Sequence, residues 1–76
     1  MKVIDLHKTT TIIEAIELLE HELFLLYKKK EKQCQIIHGI GEGKLAAAVH
    51  GVLSKNPLVR NWQEDGVGGS CLVTLS

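Results

Sequence analysis

The first half of the chain consists of a short apolar segment, a long amphipathic segment and a second short apolar segment. Lys2 to Leu6 and Gln33 to Ile37 have the length and composition of strands. Between them, Thr11 and Glu14 match the S/T-x-x-E capping box, which predicts a helix that starts near Ile12. A strand, a crossover helix and a strand place the two strands parallel, with a right-handed connection. Both strands are therefore predicted to end at the same edge of one sheet.

The remaining elements follow from helical spacing and from turn residues. The first helix is predicted to pack through a stripe of five apolar residues: Ile12, Ile16, Leu19, Leu23 and Leu26. A second helix is predicted from Lys44 to Ser54, followed by strands from Leu58 to Gln63 and from Ser70 to Leu75. The order βαβαββ places the chain in the α/β class, as an α+β sandwich of one sheet and two helices.

Glycine occupies every second position after the second strand. His38 is followed by Gly39, Gly41 and Gly43, and the second helix starts at Lys44. Glycines without side chains let backbone N–H groups approach an anion, and a helix N-terminus adds partial positive charge. The spacing is neither that of a P-loop nor that of the dinucleotide fingerprint. We predict a phosphate site formed by these glycines and Lys44; the alternative is a tight turn beside a structural histidine.

A carboxylate and an imidazole follow the first strand. Strand alternation sends Asp5 and His7 to one side of the chain. Because parallel strands end at one edge, about 4.8 Å apart when adjacent, His7 and His38 are predicted to reach one phosphodiester. Asp5 either orients and charges His7 or only fixes the backbone at the strand end. Lys8 is predicted to add a phosphate contact; the alternative is that it alters the turn.

Size and charge restrict the possible functions. The chain has 76 residues, enough for one small domain without a separate cofactor domain. Its nine Lys and Arg residues balance nine Asp and Glu residues, so it lacks the basic excess of an autonomous nucleic-acid binder. We therefore expect affinity for nucleic acid to come largely from companion domains or from a dimer.

Several other residues receive structural interpretations. Cys34 and Cys71 lie in apolar runs without zinc-site spacing, and no signal peptide or membrane-length apolar stretch is present. We predict buried thiols without a chemical role and a cytoplasmic protein with no membrane partner. His50 is predicted to face solvent, and Trp62 is predicted to belong to the core rather than to stack on a base.

Two segments together resemble the Smr (small MutS-related) domain family. Ile4 to His7 is similar to the family's leucine-aspartate-leucine-histidine-glycine motif. His38 to Leu45 is similar to its histidine-glycine-x-glycine-x-glycine-x-leucine motif. The spacing of the two motifs and the Gly68-Gly69 pair before the last strand also agree, so the resemblance covers nearly the whole chain.

The chain departs from the family pattern at three positions. Lys8 replaces the glycine that usually follows the first histidine. Cys71 stands where a third glycine of the closing motif is common, and Val73 replaces the usual threonine. The last two departures affect the packing beneath the site, whereas the residues expected to be catalytic match.

The resemblance implies a fold, an activity and partners. The implied fold is a four-stranded mixed sheet with two helices, similar to the C-terminal domain of translation initiation factor three. The implied activity is DNA nicking or RNA cleavage, with Asp5, His7 and His38 as catalytic residues. In the family the domain often ends a longer protein, including a MutS-like ATPase tied to recombination and DNA repair or to ribosome rescue. We therefore expect residues 1–76 to be the C-terminal domain of a longer chain, with DNA, RNA or the ribosome as partner.

The chemistry predicted from the residues differs for RNA and DNA. On RNA, one histidine takes the 2′-hydroxyl proton and the other protonates the leaving oxygen, with no metal or other cofactor. On DNA, water must attack, and a divalent metal near Asp5 and His7 could orient it. One carboxylate supplies few of the oxygen ligands that Mg²⁺ needs, so the residues favour chemistry without a metal. The alternatives are a non-catalytic DNA-, RNA- or ribosome-binding module on the same rim, and a protein-interaction domain that uses Phe24 and Leu25.

Overall fold

The computed structural model describes residues 1–39, 43–65 and 68–76, which form one sheet and two helices. In chain order the elements are β1 (Lys2–Asp5), α1 (Ile12–Lys28), β2 (Gln33–Ile37), α2 (Lys44–Lys55), β3 (Val59–Glu64) and β4 (Ser70–Leu75). The predicted βαβαββ order is confirmed. β2 and β4 have their predicted bounds, α1 begins at the predicted residue, and the ends of β1, α2 and β3 lie within one residue of those predicted.

The sheet is mixed, as predicted, with strand order β1-β2-β4-β3. β1 and β2 are parallel, and Asp5 lies opposite Ile37 in their register. β4 is antiparallel to both of its neighbours, and Cys71 lies opposite Ile36 on one side and Glu64 on the other. The ends of β1 and β2 therefore meet at the edge where β4 begins.

Local hydrogen bonds fix the start of α1. Thr11 is the N-cap residue, and its hydroxyl accepts a hydrogen bond from the backbone N–H of Glu14 at 3.1 Å. The carboxylate of Glu14 accepts a hydrogen bond from the hydroxyl of Thr10 at 2.9 Å. The predicted helix start is confirmed because the side chains supply partners that the first turn lacks.

The core lies between the sheet and the helices. It includes the fully buried side chains of Leu6, Leu19, Leu23, Cys34, Ile36, Val49 and Cys71. The prediction that Ile12 belongs to the core is wrong, because its side chain is 41% exposed. Ala15 is fully buried instead, since the face of α1 that contacts the sheet is rotated toward this small residue.

Neither helix of the described ranges combines the length and apolarity that a membrane crossing needs.

Candidate active site

Asp5 and His7 form a hydrogen-bonded pair just past the end of β1, which we call the rim pair. Oδ1 of Asp5 accepts the backbone N–H of His7 at 3.1 Å and also contacts Nδ1 of the same residue. An ionised carboxylate only accepts, so Nδ1 carries the proton and Nε2 of the neutral ring has the free lone pair. The side chains of His7 and Asp5 are 48% and 44% exposed, so this lone pair belongs to an accessible side chain. Asp5 thus both orients the ring and fixes the backbone.

The contact with His7 also sets the charge of Asp5. The side-chain hydrogen bond from His7 is the main reason that the pKa of Asp5 lies below its ordinary value of 3.8. The backbone hydrogen bond from His7 lowers this pKa further, and burial opposes the shift. The positive charges of protonated His7 and of Lys8 lower the pKa by smaller amounts. Asp5 is therefore ionised throughout the neutral range and keeps the Nδ1 proton of His7 in place.

His38 is the least accessible of the three predicted catalytic side chains. It is 6% exposed and continues the buried positions of β2, after Cys34 and Ile36. Asp5 and His7 belong instead to the exposed positions at the end of β1. Nδ1 of His38 donates a hydrogen bond to the carbonyl oxygen of Gly39 at 3.0 Å, which leaves Nε2 as the acceptor atom of the neutral ring.

Gly39 connects the rim pair to His38. Its φ of 84° lies in the left-handed region that favours glycine. A Cβ atom at this position would lie 3.6 Å from the Cβ of His7. The backbone N–H groups of His38 and Gly39 both donate to the carbonyl of Gly69, each at 2.9 Å. The predicted convergence of the two strand ends is confirmed for the backbone, and the segment before β4 joins it.

The predicted phosphate cradle is described only in part. The N–H of Gly39 already donates to Gly69, so any phosphate contact there requires the amides that follow. Gly43 caps α2 with a φ of 87° and no side-chain hydrogen bond, and Lys44 and Lys8 are exposed. Gly41 lies outside the described residues. The phosphate site therefore stays a prediction.

His50 takes part in a side-chain cluster that the sequence analysis missed. Its ring stacks on Trp62 with centroids 4.6 Å apart and meets His38 edge-on at 5.8 Å. The prediction that His50 faces solvent is wrong, because α2 packs against β3 and this ring fills the space above the tryptophan. The prediction that Trp62 belongs to the core is confirmed to the extent that its partly buried ring packs against the core.

Cys71 lies beside the two histidines. One donor atom from each of His38, His50 and Cys71 lies within 4.8 Å of the other two, and we call these residues the inner cluster. Burial raises the pKa of the Cys71 thiol to about 11, and the charge of Glu64 contributes. Oε1 of Glu64 also lies 3.0 Å from Nε2 of His50. The burial of His38 could have been predicted from the sequence, because it lies two residues after Ile36 in the alternating pattern of β2. The approach of His50 and Cys71 depends on tertiary packing, which no local pattern in the sequence indicates.

Comparison with known proteins supports this architecture. The model of the Smr domain family matches residues 4–76. The crystal structure of the Smr domain of Thermus thermophilus MutS2 superposes with a TM-score of 0.91 at 22% identity, over 100% of this chain and 99% of that one. At this identity the superposition establishes the fold alone.

A sequence relative was also found. Endonuclease MutS2 of Halothermothrix orenii is 46% identical over an alignment of 48 residues, and the match covers 58% of this chain. The matched region spans 6% of the length of that relative.

Proposed function

The chain belongs to the Smr domain family, and from this premise we propose that it is an endonuclease domain that cleaves phosphodiester bonds of nucleic acid at the rim pair. The observation that carries the proposal is the accessible His7 imidazole, held by an ionised carboxylate with its Nε2 lone pair free. The name endonuclease, given to the relative that shares 46% identity over 48 residues, supports the same class of activity.

His7 acts as the general base in this proposal. With an RNA substrate, Nε2 of His7 removes the proton of a 2′-hydroxyl, and the resulting oxygen attacks the adjacent phosphorus. Asp5 stabilises the imidazolium that forms, because its carboxylate already accepts the Nδ1–H. With a DNA substrate the same nitrogen takes a proton from water. Both reactions need one exposed base with a fixed tautomer, which the rim pair supplies.

Charge on the phosphate is stabilised by the glycine turn and the lysines beside it. We assign this role to Lys8, which follows His7, and to the first turn of α2, which begins at Lys44 after Gly43. The first amides of a helix lack carbonyl partners within that helix, and its positive end favours an anion. Gly41 is included on its sequence motif.

His38 has a supporting role in this proposal. The sequence analysis assigns it the second proton transfer, but its ring is 6% exposed. We therefore assign His38 to holding the Gly39 carbonyl through Nδ1, and water to protonating the leaving oxygen. An asparagine amide would keep an N–H near the position of Nδ1, so His38→Asn is expected to retain cleavage within about tenfold. A loss as large as that of a His7 variant would restore His38 as the acid.

Cleavage by the purified chain tests the proposal. A supercoiled plasmid and a single-stranded RNA should be incubated with the chain in EDTA and in Mg²⁺, and the products counted. His7→Gln should lower the rate of cleavage by about 10²- to 10⁴-fold, the usual contribution of a general base. His21→Gln is the matched control, because His21 is an exposed histidine on α1 and should leave the rate unchanged.

Two outcomes would contradict the proposal. Equal cleavage by the parent chain and by His7→Gln would mean that the activity does not come from the rim pair. Binding of either nucleic acid without any cleavage, with and without Mg²⁺, would favour the non-catalytic binding module. The roles in recombination, DNA repair or ribosome rescue, and the companion domains of a longer chain, are part of the same proposal and rest on the family.

A further inference from the structure

Three potential metal ligands converge inside the domain from three different elements. His38 follows β2, His50 lies on α2, and Cys71 lies on β4. One donor atom of each lies within 4.8 Å of the other two. The positions are far apart in the chain and do not form a linear zinc motif, so only the fold brings the three together.

The Nε2 atoms of the two histidines in this inner cluster lack a hydrogen-bond partner of ordinary geometry among the described residues. Nε2 of His38 is fully covered, on a side chain that is 6% exposed, and has no hydrogen bond. Nε2 of His50 is also covered and lacks an aligned partner, although a carboxylate oxygen of Glu64 is 3.0 Å away. A buried polar atom without a partner is costly, which indicates that another group satisfies Nε2 of His38, whereas Nε2 of His50 already has the Glu64 carboxylate near it.

The chemistry of the donors points to one class of ligand. We propose that His38, His50 and Cys71 bind one Zn²⁺ ion, with the carboxylate of Glu64 on the solvent side of the site. Imidazole and thiolate are the ligands that Zn²⁺ prefers, whereas Mg²⁺ and Ca²⁺ prefer oxygen. This site is distinct from the rim pair and does not depend on the proposed endonuclease activity.

The geometry requires small movements of side chains. Zinc bonds of about 2.0 to 2.3 Å place tetrahedral ligand atoms about 3.4 to 3.6 Å apart. The three donors are already within 4.8 Å, so each has to move inward by less than about 1 Å. The Nδ1 proton of His38 stays on the carbonyl of Gly39, which is the usual outer partner of a histidine that binds metal through its other nitrogen.

Glu64 lies on the solvent side of the inner cluster, whose own donor atoms are covered. Its side chain is 52% exposed, and it lies opposite Cys71 in the register of β3 and β4. The carboxylate lies close enough to His50 to attract a cation toward it, and the fourth position of the ion is left to water. Binding releases the thiol proton of Cys71, and the metal–thiolate bond replaces the S–H bond.

Titration with cobalt, followed by displacement with zinc, tests the proposal. The chain is reduced, freed of metal with a chelator, and titrated with Co²⁺ alone as the probe. We expect one Co²⁺ per chain with the charge-transfer absorption of a cobalt–thiolate bond, and complete displacement by one Zn²⁺. Zn²⁺ should also raise the melting temperature, because it binds the folded chain preferentially.

The two cysteines provide a matched control. Cys34 and Cys71 are both fully buried, and they lie on the adjacent strands β2 and β4 of the same sheet. Cys71→Ser should abolish the charge-transfer absorption and weaken Zn²⁺ binding at least about tenfold, as the loss of a ligand requires. Cys34→Ser should leave both unchanged. Because Cys71→Ser could fail to fold, His50→Gln serves as a second variant with the same expected loss.

The results that would overturn the site are equally specific. The proposal fails if the parent chain shows no thiolate charge transfer at equimolar Co²⁺. It also fails if Cys34→Ser loses the absorption and Cys71→Ser retains it, or if Zn²⁺ does not displace Co²⁺. His7→Gln should bind Zn²⁺ as the parent chain does, so failure of the metal site and failure of the endonuclease proposal are distinguishable.

Discussion

The rim pair and the inner cluster lie on either side of Gly39, and they place histidine in opposite environments. At the rim, His7 is half-exposed and held by a carboxylate. In the inner cluster, His38 is covered and its Nδ1 is held by the carbonyl of Gly39. In both, Nδ1 is committed and Nε2 has the lone pair, but only at the rim can a substrate reach it. The two imidazoles have the same nitrogen committed but differ in accessibility, which is why we propose catalysis for His7 and metal binding for His38.

The largest expected effect is on thiol reactivity, which tests whether the inner cluster is closed to solvent. Burial raises the pKa of the Cys34 and Cys71 thiols from 9.0 to about 11. At pH 8 the thiolate fraction should fall about 100-fold relative to a free cysteine, and alkylation by iodoacetamide should slow by at least that factor. The measurement uses mass spectrometry with a chelator present and the urea-unfolded chain as control. Rapid alkylation of Cys71 in the folded chain would mean that the inner cluster is open to water.

Removal of each histidine should affect stability differently. His38→Ala leaves a cavity and removes the hydrogen bond to Gly39, partly offset by the loss of the unpartnered Nε2, so unfolding should become easier by about 1 to 3 kcal/mol. His7→Ala at the rim should change the free energy of unfolding by less than about 0.5 kcal/mol. Urea unfolding of both variants measures the difference. Equal destabilisation would remove the distinction between the two regions.

Substitution of Gly39, which lies between the rim pair and the inner cluster, should have a smaller effect on the free energy of unfolding. Gly39→Ala forces a residue with a side chain into the left-handed region, which should cost about 1 to 2 kcal/mol of stability, whereas its Cβ would make only an ordinary contact with His7. Gly51→Ala is the control, because Gly51 lies within α2 with open space at the Cβ position and should gain up to about 1 kcal/mol. Thermal unfolding of the two variants should shift in opposite directions. A neutral Gly39→Ala would show that this backbone does not couple the rim pair to His38.

Acid titration of the rim pair gives the smallest effect. The pKa of Asp5 is below 3.8 in the folded chain, so its contact with His7 contributes stability that is fully present above the unfolded pKa. That contribution is lost as the pH falls below 3.8 toward the lowered folded pKa. Asp5→Asn should therefore flatten the decline in stability as the pH falls below about 4. An unchanged pH profile would mean that the carboxylate is not held by His7 in solution.

The elements were predictable because their signals are local. The cap at Thr11 and the lengths of β2 and β4 depend on neighbours in sequence, and the structure confirms them. The parallel pairing of β1 and β2 follows from the helix between them, which returns the chain to the edge at which β1 began. By contrast, the rotation of α1 that buries Ala15 and exposes Ile12 depends on how the helix packs on the sheet.

The candidate site was predictable only at the level of the backbone. The common edge of β1 and β2 follows from topology, and Gly39 does lie against His7. The direction of each side chain depends on strand alternation. His38 is two residues after the buried Ile36, so its burial could have been predicted from the sequence. The stacking of His50 on Trp62 joins α2 to β3, and no sequence period indicates such a contact.

The most direct test of the division between rim and interior is a nuclear magnetic resonance titration of the histidine rings with a short single-stranded oligonucleotide. The chain has four histidines, so each ring resonance can be assigned and followed separately. We expect the His7 ring to shift in proportion to bound oligonucleotide, while the His38 and His50 rings move little. Shifts confined to His38, with His7 unchanged, would contradict the assignment of the reaction to the rim pair.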